Sequence, residues 1–147
     1  MITVLQRVRS ASVTVDGRRV AEIGRGYLLL VGVADQDTDD SAVRLAREIA
    51  KVRLMEDAEG KLGLSLPQAG GDALAVSQFT LLADFAKGNR PSFHRAAKPE
   101  VARPLFERFV TELAAQLGRP VPTGIFGADM SVELVNDGPV TVVLSAF

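Results

Sequence analysis

The chain has 147 residues and a formal net charge of −1, from 17 basic and 18 acidic residues. Hydrophobic residues make up 47% and charged residues 24%, which is typical of a globular protein long enough for one domain with its own core. The absence of cysteine excludes disulfides, thiolate nucleophiles and Cys-ligated metals. Because the charge is near zero, extensive duplex binding is disfavoured, and we expect no DNA partner.

The beginning of the chain and its apolar runs predict no membrane attachment. Residues 1–7 alternate and carry charge too early for a signal peptide. No apolar run approaches the roughly 20 residues that span a bilayer. We therefore expect a soluble, cytoplasmic protein with no membrane partner, and the lack of cysteine is compatible with that compartment.

The first half of the chain predicts strands followed by a helix. Residues 2–8 and 12–15 alternate at period two, with a bulge or bend between them, and Asp16-Gly17 predicts a hairpin turn into a strand at 19–23. The continuous apolar run at 27–33 is typical of a strand buried on both faces. Residues 41–54 then predict an amphipathic helix, after an acidic loop that can cap it.

The second half alternates between strand and helix signals. Residues 61–66 predict a short strand stopped by Pro67. Residues 72–81 predict a core strand whose second half turns polar, either because it enters a pocket or because it reaches the surface. Residues 99–117 predict a helix ended by Gly118, with a start nearer Ala102 if Pro104 must fall in the first turn. The stretch 130–144 supplies the last two strands.

These elements predict an α+β fold in a single domain, residues 1–147. Its sheet is mainly antiparallel and barrel-like, with two helices packed against it. Residues 83–97, together with Lys98, form the most basic stretch of the chain and show little periodicity. This stretch is either a phosphate-binding loop or an ordinary solvated one.

Few residues indicate chemistry. His94 is the single histidine, so no multi-histidine metal site is possible on one chain, and its basic loop favours a solvated histidine over a catalytic base. No nucleophile elbow, Walker loop or dinucleotide fingerprint is present. We therefore expect no metal and no cofactor.

Two segments remain as site candidates. Ser77-Gln78-Phe79-Thr80 places two hydroxyls and an amide at the end of a strand. Thr80 is a possible nucleophile, but it lacks an evident base, which favours a positioning role and a reaction that relies on backbone N–H groups. Asn136–Thr141 lies between two apolar runs. Its Asp-Gly pair is typical of a hairpin, whereas its proline cannot donate a ladder hydrogen bond and indicates a functional loop.

The sequence resembles the D-aminoacyl-tRNA deacylases of the bacterial and eukaryotic type over nearly its whole length. One departure is Leu62-Gly63, where the family pattern has a longer residue followed by Asn. The matching stretches, in order, are Gln6-Arg7-Val8, Ala11-Ser12-Val13, Glu22-Ile23-Gly24-x-Gly26, the run at 28–33, Ser77-Gln78-Phe79-Thr80-Leu81, Arg90-Pro91-Ser92-Phe93, Thr123-Gly124-x-Phe126-Gly127-Ala128-Asp129-Met130 and Asn136-Asp137-Gly138-Pro139-Val140-Thr141.

The resemblance implies a homodimer that hydrolyses the ester between a D-amino acid and the 3′-terminal adenosine of tRNA. Gly138 and Pro139, joined by a cis bond and braced by Arg7, would enter the partner's pocket. Their backbone carbonyls would exclude an L side chain but admit glycine, including glycine mischarged onto alanine tRNA. The adenosine 2′-hydroxyl would help activate water. The substrate-binding residues implied on the other side of the pocket are Ser77, Gln78, Phe79 and Thr80.

Three alternatives stay open at the level of sequence. The same reaction could use Thr80 as a covalent nucleophile. The chain could instead be a non-catalytic dimeric binding module in which Gly138-Pro139 only locks the subunits together. It could also be a stand-alone relative of the editing domains appended to aminoacyl-tRNA synthetases.

Overall fold

The long first strand, β1, is the element to which most of the sheet pairs. The computed structural model describes residues 1–146, and over this range the fold is α+β with a curled mixed sheet. In chain order the elements are β1 (Ile2–Val15), β2 (Arg18–Ile23), β3 (Gly26–Gly32), α1 (Asp39–Lys51), β4 (Met55–Glu56), β5 (Leu62–Leu64), α2 (Leu66–Ala69), β6 (Asp72–Ser77), a 3-10 turn (Phe79–Leu82), α3 (Pro99–Leu117) and β7 (Ser131–Ser145).

Strand β1 has different neighbours along its two halves. Its first half pairs with β3, from Ile2 opposite Gly32 to Val8 opposite Gly26, and its second half pairs with β2. Strand β7 runs antiparallel along both halves. The predicted irregularity within β1 is confirmed, because the β1–β7 register shifts between Gln6 and Ser10.

The predicted hairpin and the predicted central strand are both confirmed. Asp16 and Gly17 have φ values of 49° and 75°, the left-handed pair that a tight hairpin between β1 and β2 requires. In β3 the side chains of Tyr27, Leu28 and Leu29 are completely buried. The expectation of a mainly antiparallel sheet needs one correction, because β3 pairs with β6 in parallel. Parallel neighbours need a long crossover connection, and here it contains α1 and α2.

The two predicted helices are present with shifted ends. Helix α1 begins two residues before the predicted start, after the N-cap Thr38, and ends at Lys51 because Val52 is already extended. Helix α3 spans Pro99–Leu117, so the alternative start near Ala102 is wrong and Pro104 lies inside the helix. An interior proline costs about 3 kcal/mol. Burial of the large side chains on the same helix offsets this cost, at roughly 1.5–3 kcal/mol each. These are Leu105, Phe106, Phe109 and Leu113.

A third helix replaces part of a predicted strand. The strand expected at 61–66 is shorter, and Leu66–Ala69 forms the one-turn helix α2 with Pro67 in its first turn. Ser65 and Gln68 cap this turn reciprocally, because the backbone N–H of Ser65 donates to Gln68 Oε1 at 2.9 Å. The sequence Ser-x-x-Gln is a capping-box signal, and proline is tolerated in the first turn, where the backbone N–H groups have no acceptor within the helix.

The sheet has apolar clusters on both faces. Helices α1 and α3 pack on one face and bury Leu45, Ile49 and Phe109 against Leu5 and Leu29. The other face carries a smaller cluster built around β1, β2, β3 and β6, against which several residues of the β7 region pack while staying partly exposed. Among residues 1–146, every helix is too short or too polar to cross a bilayer.

Candidate functional site

A cavity of about 510 Å³ opens where β6 ends. Its walls come from three parts of the chain, namely the end of β6, the segment before and at the start of α3, and the segment that leads into β7. Residues from Val76 to Phe79 form the first wall, Phe93 belongs to the second, and Phe126 and Met130 belong to the third. The polar end of this segment lines the cavity at Ser77, Gln78 and Phe79, and it also reaches the surface, because Phe79 and Thr80 are exposed.

The end of this wall is a 3-10 turn, so the strand predicted to continue to residue 81 is wrong. Strand β6 stops at Ser77, the N–H of Gln78 still bonds to Val31 O at 2.7 Å, and Phe79–Leu82 then turns. The turn is held by Leu82, which is 2% exposed. A Cβ placed on Gly32 would lie 2.6 Å from Leu82 Cδ2. Close packing of a distant residue therefore decides this conformation.

The turn leaves two backbone donors available beside the cavity. Its first internal hydrogen bond runs from the N–H of Leu81 to Gln78 O at 3.3 Å. The N–H groups of Phe79 and Thr80 come before it and have no partner among the described residues. The first N–H groups of a helical turn lack internal acceptors for geometric reasons. Paired donors of this kind can stabilise a developing oxyanion.

Gln78 and Thr80 are linked by their side chains. The amide Nε2 of Gln78 donates to Thr80 Oγ1, and the pair is exposed. Ser77, Gln78 and Phe79 line the cavity, whereas Thr80 lies just outside the lining. An amide N–H cannot accept a proton, so this contact gives Thr80 no general base.

Aromatic side chains also shape the cavity; Phe79 was expected there from the family resemblance, whereas Phe93 and Phe126 were not. Phe79 is 55% exposed and meets Phe93 edge to face, with ring centroids 5.0 Å apart. On the opposite wall the guanidinium of Arg103 lies 5.2 Å from the centroid of Phe126. Met130 packs so tightly on Gly124 that a Cβ there would lie 2.5 Å from its sulfur. The only signal for this wall was the Thr123–Met130 motif.

A serine, a histidine and an aspartate meet on the loop next to the cavity. The backbones of Asp84 and Ser92 exchange two hydrogen bonds of 2.8 Å. His94 Nδ1 lies 3.0 Å from Ser92 Oγ, and its Nε2 lies 3.8 Å from Asp84 Oδ2. The histidine side chain is 63% exposed and does not line the cavity. This agrees with the solvated-histidine interpretation. The contacts among the three side chains stabilise the conformation of the loop.

The Asn136–Thr141 segment is a bulge in one continuous strand, so the hairpin interpretation is wrong. Thr141 pairs with Gln6 and Asn136 with Val8, which leaves the four residues between them opposite Arg7 alone. The chain runs in the same direction on both sides, and the two strands expected at 130–144 are the single strand β7. A hairpin would reverse the chain, but β1 is long enough to pair with both flanks.

The bulge is closed by the side chain of Asn136. Its Oδ1 accepts the N–H of Val140 at 2.9 Å, and its Nδ2 donates to Thr141 Oγ1 at 2.9 Å. The Gly138-Pro139 peptide bond is cis, and Gly138 has a φ of 138°. A Cβ on Gly138 would lie 2.8 Å from Val140 Cγ2, so both its φ and its surroundings require glycine. Gly138 and Pro139 are exposed.

Arg7 anchors the bulge from beneath. Its side chain is only 4% exposed. Its Nε donates to the carbonyl oxygen of Asp137 at 3.0 Å, and its Nη1 donates to Leu54 O at 2.9 Å. Its charge is balanced by Glu56 Oε1 at 3.5 Å and by Asp137 Oδ2 at 3.7 Å. The planar guanidinium thus ties the residue before Gly138 to the loop after α1, a forked contact that lysine cannot reproduce.

The cavity and the bulge are separate surfaces of one chain. Within the described residues, none of the segment 136–141 lines the cavity. Ser77, Gln78 and Phe79 come together on one surface, and Arg7, Gly138 and Pro139 come together on the other.

Comparison with known proteins gives consistent matches along the chain. A family model described as D-Tyr-tRNA(Tyr) deacylase matches residues 4–145. A curated D-aminoacyl-tRNA deacylase from Chromobacterium violaceum is 56% identical over 146 residues, covering 99% of this chain and 97% of its own. The deacylase from Dechloromonas aromatica is 53% identical with the same coverage.

Solved structures agree with the fold. One named c-Myc DNA Unwinding Element Binding Protein superposes with a TM-score of 0.93 at 40% identity, covering 99% of this chain and 98% of that one. One described as a probable eukaryotic D-amino acid tRNA deacylase superposes with a TM-score of 0.84 at 20% identity, covering 97% of each chain. At that identity the second match supports the fold alone.

Proposed function

This chain belongs to the D-Tyr-tRNA(Tyr) deacylase family, and from that premise we propose that it removes D-amino acids from tRNA in a cavity completed by a second subunit. It is a hydrolase that acts on the aminoacyl-tRNA ester bond.

The observation that carries the mechanism is the pair of unpartnered N–H groups on Phe79, which lines the cavity, and on Thr80, which follows it just outside the lining. Among the described lining residues, only Ser77 and Gln78 have polar side chains, and neither titrates near neutral pH. A reaction here must therefore rely on fixed backbone donors and on groups that the substrate brings. The cavity volume lies within the range of small-molecule sites, and its aromatic walls suit the adenine and ribose of the terminal adenosine.

In the proposed step, water attacks the ester carbonyl carbon while the two N–H groups hold the developing oxyanion. The bond between that carbon and the ribose 3′-oxygen then breaks, and the proton lost by water ends on the 3′-oxygen. The products are a free D-amino acid and a tRNA with its 3′-hydroxyl restored. The neighbouring ribose 2′-hydroxyl helps to activate the water. Its fixed position beside the carbonyl provides the advantage of an intramolecular group.

In this scheme Thr80 positions the substrate and is not the nucleophile. Its Oγ1 already accepts a hydrogen bond from the Gln78 amide, so its own hydrogen remains available to the substrate. A threonine nucleophile requires a base within hydrogen-bond distance. We expect Thr80→Val to keep the deacylation rate within about threefold of wild type, because it removes one neutral hydrogen bond of roughly 0.5–1.5 kcal/mol at an exposed position. A loss of several orders of magnitude would favour the covalent alternative.

The chiral check is assigned to the bulge of a second subunit in a homodimer. Gly138 and Pro139 are exposed, and β7 pairs with β1 alone among the described strands, which leaves its other edge open. Val135 and Val143 flank the bulge on β7 and are 48% and 64% exposed. An open edge with exposed valines favours burial against a second copy. Backbone carbonyls of the inserted bulge would then clash with an L side chain but accept a D residue or glycine.

The deciding experiment incubates the purified protein with D-Tyr-tRNA, L-Tyr-tRNA and glycine mischarged onto alanine tRNA. We expect release of D-tyrosine and glycine while the L ester survives. Release of neither tyrosine would point to a non-catalytic binding module. Repeating the assay with several D-aminoacyl-tRNAs separates a general deacylase from an editing-domain relative that accepts one tRNA.

A further inference from the structure

The loop that forms the second wall of the cavity has an outer face that the proposed reaction does not use. We propose that this loop, residues 84–98 and here named the basic loop, binds the unpaired nucleotides that precede the terminal adenosine at the tRNA 3′ end. Phe85 stacks on a base, and Lys87, Arg90, Arg95 and Lys98 contact the phosphates. This inference rests on the proposed function for the identity of the RNA.

Hydrogen bonds hold the basic loop in place at both ends. The paired backbones of Asp84 and Ser92 close its first part. At the other end, the N–H of Ala97 donates to Val33 O at 2.9 Å, and the N–H of Asp35 donates to Arg95 O at 3.0 Å. The loop is therefore attached to the chain just beyond β3. Three of its residues, Phe93, Ala96 and Ala97, line the cavity, so the exposed residues next to them in the chain lie close to the same cavity.

The charges of the basic loop are unbalanced. The basic loop contains four Lys and Arg residues against one acidic residue, Asp84, although the whole chain has a net charge of −1. Lys87, Arg90, Arg95 and Lys98 are all exposed, and none of the four forms a salt bridge within the described residues. A cluster of this kind beside a cavity attracts a phosphate backbone.

An exposed aromatic ring accompanies these cations. Phe85 follows Asp84 directly, is 57% exposed and does not line the cavity. The carbonyl of Phe85 accepts the N–H of Gly88 at 3.1 Å, so Phe85 begins a hydrogen-bonded turn. Aromatic rings beside cations are the usual surface for single-stranded nucleic acid, because every base has a face that can stack.

The test compares three substrates that differ only in RNA length. They are the D-tyrosyl ester of adenosine, the same ester on a CCA trinucleotide, and D-Tyr-tRNA. For Phe85→Ala we expect kcat/KM to fall about tenfold on the trinucleotide and the tRNA, the effect of one lost stacking contact, with no change on the adenosine ester. Phe85→Trp should restore the rate. Leu62→Ala is the matched control, since Leu62 is 54% exposed and lies on the remote strand β5.

The phosphate contacts are tested by salt dependence. For the double variant Lys87→Ala with Arg90→Ala, the slope of log KM for D-Tyr-tRNA against log salt should decrease by roughly 0.7 for each lost contact. Arg18→Ala, which removes an exposed arginine from β2, should leave the slope unchanged. An equal loss on all three substrates, no loss on any of them, or dissociation of a dimer with unchanged RNA affinity would overturn the proposal.

One further measurement separates this inference from the proposed function. Binding of uncharged tRNA needs no hydrolysis, so its affinity can be compared between wild type and Phe85→Ala by fluorescence titration. If the protein does not hydrolyse D-Tyr-tRNA but Phe85→Ala weakens binding of uncharged tRNA, the proposed reaction is refuted and the proposed RNA-binding role of Phe85 is supported. If the protein hydrolyses D-Tyr-tRNA but wild type and Phe85→Ala bind uncharged tRNA with equal affinity, the proposed reaction is supported and the proposed RNA-binding role of Phe85 is refuted.

Discussion

The cavity wall at 76–82 is shaped by close apolar packing, whereas the bulge at 136–141 is held mainly by polar contacts. Leu82 seals the turn by filling the space above Gly32, but the bulge depends on hydrogen bonds from Asn136 and Arg7. Packing tolerates little change in volume, while a hydrogen-bonded loop at a strand edge can keep its polar groups in contact with water. The two surfaces should therefore respond differently to substitution.

The largest effect on stability is expected from Arg7, because it is the buried one of the two residues whose side chains hold the bulge, Arg7 and Asn136. Arg7→Ala leaves the carbonyls of Leu54 and Asp137 without their donor, and we expect the free energy of unfolding to fall by about 2–4 kcal/mol. Urea denaturation measures this change. Arg7→Lys should recover only part of it, since a lysine ammonium cannot satisfy both carbonyls. Full recovery by lysine would show that charge alone is sufficient.

A smaller loss of stability is expected from overpacking beside the cavity. In Gly32→Ala the new methyl group would stand 2.6 Å from Leu82 Cδ2 and 3.1 Å from Gln78 O. We expect the free energy of unfolding to fall by about 1–3 kcal/mol. The rate of deacylation should also fall, because the turn that carries Phe79 must shift. The double variant Gly32→Ala with Leu82→Ala should regain activity relative to the single one. Wild-type rates in Gly32→Ala itself would show that the turn does not depend on this contact.

A still smaller effect is expected for Asn136, whose contacts are partly exposed. Asn136→Ala removes the acceptor for the N–H of Val140, at a cost of about 1 kcal/mol. Because the bulge loosens while the cavity stays intact, we expect D-Tyr-tRNA deacylation to persist and protection of L-Tyr-tRNA to weaken. The ratio of the two rates is the quantity to measure. An unchanged ratio would separate the bulge from chiral selection.

The smallest effect is expected for His94, which fastens an exposed loop. His94→Ala should change the free energy of unfolding by less than about 0.5 kcal/mol. The dependence of kcat on pH should also keep its shape, since no step is assigned to the imidazole. A change in that pH dependence would show that the imidazole of His94 takes part in the reaction after all.

Local sequence was sufficient wherever neighbouring residues decide the conformation. The Asp16-Gly17 turn, the buried strand β3 and the span of α3 up to Gly118 all followed from turn chemistry, apolar runs and helical period. The family resemblance also implied a cis bond between Gly138 and Pro139, which the structure contains, whereas the substrate-binding roles of Ser77–Thr80 stay a prediction.

Only the tertiary structure decided the features that depend on distant partners. The polar end of the 72–81 segment is a turn because Leu82 packs on Gly32, fifty residues earlier in the chain. The segment around Gly138 is a bulge because β1 offers a pairing partner on both of its sides. Contacts between residues so far apart in the chain form only when the core and the sheet assemble. They therefore cannot be predicted from a window of neighbouring residues.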